Sequence, residues 1–308
     1  MRALVATPGT GARVALRDVP EPEPGPGRPV VAVRAVSLNR GEVRALDTAA
    51  DGAVLGWDVA GEVLAPATDG RGPAAGARVV GLVPAGGWAE QVAVPVGSLA
   101  ELPDSVDLGV ASTLPVAGLT AYVAMQLGGT AGDERVLVTG AAGGVGHIAV
   151  QLAAHRGAAV TAVVGRPERA GDLERLGATT VSVGMPEDGE FDLVLEAVGG
   201  ATLGAALGLV APGGHVVSYG CASGEPTTFD VRTFYGRCGR LTGFQLGAEL
   251  ARAGRDAAAR DLDALARMLA GGQLEVCVGL DVDWEEADTA CRALLDRRVP
   301  GKAVLRIT

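Results

Sequence analysis

The sequence predicts an α/β protein: a β-rich N-terminal lobe, then a parallel, doubly wound sheet, then a short mixed tail. Three observations carry this. Residues 1–100 hold short β-branched runs separated by Pro/Gly-rich punctuation such as PEPEPGPGRP (20–29), with no helix of convincing length. A short apolar run at 135–139 leads into a glycine cluster and then a helical pattern. Beyond it, apolar runs alternate with helical stretches of roughly 10–15 residues, the pattern of a parallel sheet with crossover helices.

Taken in order, the expected strands of the first lobe are VVAVRAV (30–36), GWDVAGEVLA (56–65), ARVVGLV (77–83) and WAEQVAVP (88–95). In the middle, RVLVT (135–139) precedes the helix HIAVQLAAHRG (147–157), and AAVTAVV (158–164) precedes an expected helix, PERAGDLERLG (167–177). FDLVLEAVGG (191–200) and GGHVVSYG (213–220) follow as buried strands, with ATLGAALGLVAPGG as helix and turn between them. The tail holds the amphipathic helix RDLDALARMLAGG (260–272), a helix at 284–298 and the strand KAVLRI (302–307). No internal repeat is present.

Composition narrows the partners. The 308 residues carry 36 acidic and 26 basic side chains, a formal net charge of −10. A nucleic acid or an anionic membrane is therefore not expected as the main partner. Aromatic residues make up 3%, so the core must be built from Val, Leu and Ala. Glycine stands at 47 residues, about twice the usual ~7%. Four cysteines, Cys221, Cys238, Cys277 and Cys291, lack CxxC pairing and are expected as reduced thiols in the cytoplasm. No apolar N-terminal segment marks a secretory signal. The uncharged stretch 108–132 contains Pro115, Ser112, Thr113, Thr120 and Gln126, and reads as buried structure rather than a membrane span.

The chemistry concentrates in VLVTGAAGGVGHIAVQLAAHRGAAVTAVVGR. Ala141, Gly143 and Gly146 stand at the i, i+2, i+5 offsets of a dinucleotide turn, with Gly140 before them and Gly144 inside. Gly143 lets the backbone approach a pyrophosphate, and Gly146 lets helix and strand pack closely. The helix N-terminus then offers free N–H groups to the anion. A site for NAD places Asp or Glu at the end of the second strand. Here the strand ends Val163-Val164-Gly165-Arg166, with Arg169 a turn on. A guanidinium pairs with a 2′-phosphate that a carboxylate would repel, so NADPH is the expected cofactor.

Other chemistries find no support. Thr139-Gly140-x-x-x-Gly144-x-Gly146 satisfies the TGxxxGxG pattern of short-chain dehydrogenases, but Tyr122, Tyr219 and Tyr235 are followed four residues on by Gln126, Ser223 and Gly239, not lysine. There is no G-x-S-x-G nucleophile elbow and no P-loop. His147, His155 and His215 form no zinc-ligand spacing with the cysteines.

With RAVSLNRGEVRAL (34–46), GWDVAGEV (56–63), LPVAGLTAY (114–122), the GAAGGVG loop and GKAVLRI in this order, nearly the whole chain resembles the zinc-independent quinone oxidoreductase (zeta-crystallin-like) branch of the medium-chain dehydrogenase/reductase superfamily. The resemblance implies a GroES-like β-rich catalytic domain over 1–112 and 246–308, with a Rossmann NADP(H)-binding domain over 113–245. It also implies a homodimer. Trp57 and Asp58 occupy the place where zinc enzymes carry His-Glu, and no cysteine precedes Cys221, so no metal is expected. Without a Lewis acid the resemblance favours hydride delivery to an activated C=C of an enone, enoyl or quinone substrate over alcohol oxidation. Carried over by position, Asn39 is the catalytic candidate, able to hydrogen-bond the substrate oxygen. Thr120, Gly140, Ala142, Gly143, Gly144, Val145, Gly165, Arg166, Arg169, Val198, Gly220 and Phe244 are the candidate cofactor contacts. Two departures stand out: Gly184 falls where many relatives have a tyrosine over the adenosine phosphate, and Arg44 where many bacterial quinone reductases have another. Two further readings stay open: a biosynthetic reductase whose hydride transfer triggers cyclisation, and a non-catalytic NADPH-binding protein.

Overall fold

The structure, a computed structural model, describes residues 1–129 and 132–308. The chain divides into two compact units, Met1–Leu119 with Ala253–Thr308, and Thr120–Arg252.

The first unit begins with the hairpin β1 (Arg2–Ala6) and β2 (Val14–Asp18), which lies before the strands the sequence pattern marks. Then come β3 (Val30–Leu38), the short helix α1 (Arg40–Ala45), β4 (Asp58–Ala65), β5 (Arg78–Leu82), β6 (Gln91–Ala93) and β7 (Leu99–Glu101). The segment closes with α2 (Leu108–Ala111), a π-helical turn at Leu114–Gly118 and α3 (Leu119–Gly128). Val, Leu and Ala of β3 and β4 bury Val31, Val33, Val36, Leu38, Val59 and Val63 around Trp88, as β-branched runs on a half-covered sheet should. The uncharged stretch is thus short helices with a largely buried surface; its residues 130 and 131 lie outside the described ones. Among the described residues no helix is long and apolar enough to cross a membrane.

The second unit runs β8 (Arg135–Thr139), α4 (Gly144–His155), β9 (Ala159–Val164), β10 (Ala178–Val183), β11 (Phe191–Glu196), α5 (Gly200–Gly208), β12 (Val210–Ser218), α6 (Val231–Gly236) and β13 (Arg240–Gly243). Its six strands are all parallel, in the order β10-β9-β8-β11-β12-β13. Numbered within the unit this is 3-2-1-4-5-6, the doubly wound dinucleotide-binding order, with its switch point between β8 and β11. The inner strands are near-continuous Val/Leu/Ala runs because both faces are covered. The expected turn APGG lies within β12, where the pairing register with β11 shifts after Val210 and Pro212 and Gly213 stand exposed.

One expected helix does not form. Residues 167–177 make a 3-10 turn at Pro167–Arg169 and then successive turns. Gly171 at φ +46° interrupts the helical backbone there, and the apolar spacing that suggested a helix still buries Leu173 and Leu176.

The chain returns to the first unit through α7 (Leu246–Ala253), α8 (Ala257–Ala270), β14 (Val278–Asp283), α9 (Ala287–Leu295) and β15 (Lys302–Arg306). β15 pairs antiparallel with β3, placing Ala303 opposite Leu38, and parallel with β14. The mixed sheet thereby takes the order β14-β15-β3-β4-β5-β7, with β6 also on β3. Each crossing falls a few residues beyond positions 112 and 245, at Leu119 and Arg252. The π-turn stays with the first unit because Val116 donates its N–H to Asp58 and Gly118 lies against Leu265 of α8.

Candidate functional site

In the second unit, the candidate nucleotide contacts gather at the carboxyl ends of the parallel strands, where open α/β sheets bind ligands. β8 ends at Thr139, and Gly140 turns the chain with φ +61°. Gly143 donates its N–H to the Gly140 carbonyl at 2.9 Å. α4 then starts so close that a Cβ on Gly146 would collide with the same oxygen. Only glycine permits that packing. Gly143 is the N-cap of this 12-residue helix and no side chain caps it, so the N–H groups of Gly144, Val145 and Gly146 are left for an anion. Ala142 is half-buried in the same turn.

The other contacts follow strand by strand. After β9, Gly165 and Arg166 are exposed, no acid ends the strand, and Arg166 meets no carboxylate among the described residues. Arg169 is half-buried and engaged within the protein. Val198 follows β11, Gly220 follows β12 and Phe244 follows β13, all half-buried. Thr120 is buried on α3.

Glu196, at the end of β11, is a residue that sequence reasoning missed. It is fully buried and accepts the N–H groups of Val198 (2.7 Å) and Gly199 (2.9 Å) and the Thr139 hydroxyl (3.2 Å). Thr139 in turn accepts the Ala197 N–H at 3.0 Å. One carboxylate therefore fixes the loop carrying Val198 against the end of β8. A single acid closing the apolar run FDLVLE was the available signal.

In the first unit, Asn39 lies in a buried polar knot. It is the N-cap of α1, and its backbone N–H donates to Glu42 at 2.6 Å. Its Nδ2 donates to Glu42 (3.1 Å) and to Asp58 (2.8 Å), while its Oδ1 accepts from Lys302 Nζ at 2.6 Å. Both amide hydrogens are thereby committed to carboxylates. As placed, Asn39 has none left for a substrate oxygen.

Asp58 is equally committed. Its Oδ2 takes Ser37 Oγ (2.6 Å), Asn39 Nδ2 and Lys302 Nζ (3.3 Å), and its Oδ1 takes the Val116 N–H (2.8 Å). Neither it nor Trp57 offers a free metal-ligating atom, and no group of three His, Cys, Asp or Glu that could hold a metal occurs among the described residues. Glu42 is buried and accepts Asn39 N–H, Asn39 Nδ2 and the Trp57 N–H at 2.8 Å. Burial, then the charge of Asp58, pushes its carboxyl up to about 8, although Lys302 and the Asn39 donors pull the other way.

Lys302 was also missed, although it is the one lysine among 26 basic residues. In a chain that otherwise uses arginine throughout, a lysine opening an apolar strand was the signal.

The glycine cradle and the uncapped α4 fit the pyrophosphate of a nicotinamide dinucleotide. Comparison with known proteins supports a nicotinamide cofactor. A family profile described as "Zinc-binding dehydrogenase" matches residues 144–266. The chain is 30% identical to the putative quinone oxidoreductase YhfP of Bacillus subtilis over 82% of this chain and 81% of that protein. It is 36% identical to the acrylyl-CoA reductase AcuI of Ruegeria pomeroyi over 68% of this chain and 69% of that protein. With the spectinabilin polyketide synthase system protein NorB of Streptomyces orinoci it shares 35% identity over 91% of its own length, but spans only 13% of NorB. Among solved structures, mycobacterial Rv1454c complexed with NADPH superposes with a TM-score of 0.89 at 26% identity, covering 100% of both chains.

The fold and the strand-end turn define a nicotinamide-dependent oxidoreductase of the two-domain, GroES-like plus Rossmann type. The chain belongs to the medium-chain dehydrogenase/reductase superfamily, alongside its quinone oxidoreductases, as the motif order indicated.

Two outcomes test the knot. Lys302→Met strands the buried Asp58 charge and should cost about 3–5 kcal/mol in denaturant unfolding. The double variant Asp58→Asn/Lys302→Met should recover much of that loss. A single variant as stable as the parent would show that the pair holds nothing.

Glu42 gives a signed pH dependence. Its folded carboxyl titrates near 8 against 4.5 when exposed, so the folded state keeps a proton that the unfolded chain releases between these values. Stability relative to Glu42→Gln should therefore fall from about pH 4.5 to pH 8 and level off above. A difference independent of pH across that window means that folded Glu42 is ionised throughout.

Proposed function

We propose that the chain is an NADPH-dependent reductase of a conjugated C=C bond, with an enoyl thioester as the favoured substrate and a quinone as an alternative acceptor. The observation that carries the cofactor reading is Arg166, exposed and without a carboxylate partner at the strand end where an NAD site carries an acid. AcuI, by its name, reduces acrylyl-CoA, and NorB belongs to a polyketide synthase system. The first of these names favours an acyl thioester over a free alcohol. No disulfide joins any of the four cysteines among the described residues, which accords with action in the reducing cytoplasm.

NADPH, when bound, supplies the hydride. The N-terminal N–H groups of Gly144 and Val145, with Gly140, Ala142 and Gly143 beside them, would hold the pyrophosphate. Arg166, with Gly165 and Arg169, would hold the 2′-phosphate. Val198, Gly220, Phe244 and Thr120 would border the nicotinamide half. Trp57 and the saturated Asp58 polarise no substrate oxygen, so conjugation must carry the charge that arrives at the β-carbon. The α-carbon then takes a proton from water. Asn39 would donate no hydrogen bond to the substrate, because Glu42, Asp58 and Lys302 already hold its side chain.

A homodimer belongs to the same proposal. β13 is the outer strand of the parallel sheet, and Val231, Tyr235 and Leu241 around it are 58%, 64% and 45% exposed. Such an edge invites antiparallel pairing with a second copy. The paired substitution Val231→Glu/Leu241→Glu should convert a dimer into a monomer in sedimentation analysis. A wild type that sediments as a monomer would end this part of the proposal.

The functional test is direct. The protein should consume NADPH with crotonyl-CoA, and more slowly with 9,10-phenanthrenequinone. Arg166→Ala should weaken NADPH binding about tenfold or more while leaving NADH binding unchanged, the loss expected for a charge-assisted hydrogen bond. Equal wild-type affinities for the two nucleotides would remove the cofactor assignment. NADPH binding without turnover on either acceptor, or on other enones, would favour a binding protein.

A further inference from the structure

The reaction so described lacks one component. Negative charge develops on a carbonyl oxygen, and a positioned hydrogen-bond donor there is worth orders of magnitude in rate. Asn39 has no amide hydrogen to give.

The second unit holds a hydroxyl with no protein partner. Tyr219 follows β12, and its backbone N–H donates to the Glu196 carbonyl at 2.9 Å. Its ring packs against Phe244, with centroids 6.1 Å apart and planes at 50°. The next residue, Gly220, is pressed so closely on Ala197 that a Cβ would lie 2.6 Å from the Ala197 oxygen, which fixes the backbone from which the ring projects. The Tyr219 hydroxyl is buried and makes no hydrogen bond. Buried hydroxyls without partners are rare, because each forfeits the bonds it made in water.

We infer that the Tyr219 hydroxyl is the hydrogen-bond donor to a ligand carbonyl oxygen at this site, that of the nicotinamide carboxamide or that of the conjugated substrate. This rests on the reductase reading above. Three features select the chemistry. Burial, followed by the nearby charge of Glu196, raises the phenol well above its ordinary range, so it keeps its proton and acts as a donor. The same negative charge disfavours a phosphate or carboxylate as the acceptor and leaves a neutral carbonyl. Phe244, a candidate nicotinamide neighbour, is the residue its ring touches. The two sources share one acceptor, a carbonyl oxygen, and binding separates them from turnover.

Tyr219→Phe removes the hydroxyl and keeps the ring. Three readouts are taken: the thermal midpoint of the unliganded protein, the Kd values of NADPH and of 2′,5′-ADP (which lacks the nicotinamide half), and kcat with crotonyl-CoA. The unliganded midpoint should stay level or rise, since an unsatisfied group is lost. If the acceptor is the carboxamide, NADPH binding weakens about tenfold and 2′,5′-ADP binding does not change. If the acceptor is the substrate, both Kd values hold and kcat falls about tenfold or more. Values of NADPH Kd and kcat both within twofold of wild type overturn the inference. So does a marked fall in the unliganded midpoint with binding and turnover intact, which marks a structural hydroxyl. Failure of the wild type itself to bind NADPH overturns the functional reading and this inference together; wild-type binding with an unchanged variant overturns the inference alone.

Discussion

The first unit depends on one buried ion pair. Its sheet is assembled from two distant stretches of chain, and Lys302 at the start of β15 meets Asp58 at the start of β4 across a separation of 244 residues. Apolar pairing of β15 with β3 brings the strand back, but a period-2 pattern of Val and Leu tolerates a slip by two residues. An ammonium that must reach both Asp58 and Asn39 does not, because a slip would leave charges buried and unpaired. The pair therefore acts more on register than on net stability. Lysine suits the place better than arginine: its compact head has three donors, whereas a guanidinium would bring five into a space with two recorded acceptors.

The same knot explains why α1 forms at all. Six residues are too few to hold a helix by propensity. Asn39 and Glu42 close a bond across the first turn, and Glu42 also gathers the Trp57 N–H, so the helix is held from the sheet side. This brings two acids and one cation into a buried space. The charge imbalance is relieved by proton uptake at Glu42 rather than by opening the structure, and this is the physical origin of its raised titration. Asp58 is held in the same space by Ser37, Asn39, Lys302 and the Val116 N–H, which all donate to it.

What could be read from the sequence follows from the range of the forces involved. The parallel sheet was legible because its strands are apolar over their whole length, as in RVLVT and AVTAVV, and because Gly140, Gly143 and Gly146 mark a local turn. The helix expected over 167–177 failed at Gly171, where a left-handed backbone overrode an apolar spacing that looked helical. The hairpin β1–β2, whose strands are each only five residues long, lies outside the expected strands. The roles of Lys302, Glu196 and Tyr219 escape a sequence pattern for a different reason. Their meaning lies in partners far along the chain, such as Asn39 at a separation of 263 residues, or in the lack of any partner. Periodicity cannot register either. Composition carried one unused clue, a single lysine in an arginine-rich chain.

The acidic balance of the protein then takes on a local meaning. Taken as a whole, a net charge of −10 opposes a cofactor bearing several phosphate charges. At physiological ionic strength, however, exposed charges beyond about 8 Å are largely screened, so affinity is decided by what lies within hydrogen-bonding reach. There the second unit offers the uncapped N-terminus of α4 and the unopposed Arg166, while Glu196, its buried acid, spends its charge on backbone N–H groups. On the proposed reading, the phosphates would meet the positive groups, and the neutral carbonyl groups would fall to the strand ends near Glu196 and Tyr219. A ligand divided into charged and uncharged halves would be matched by the division of charge along one sheet edge, and in the proposed reading that match, more than the glycine count, would make the site specific.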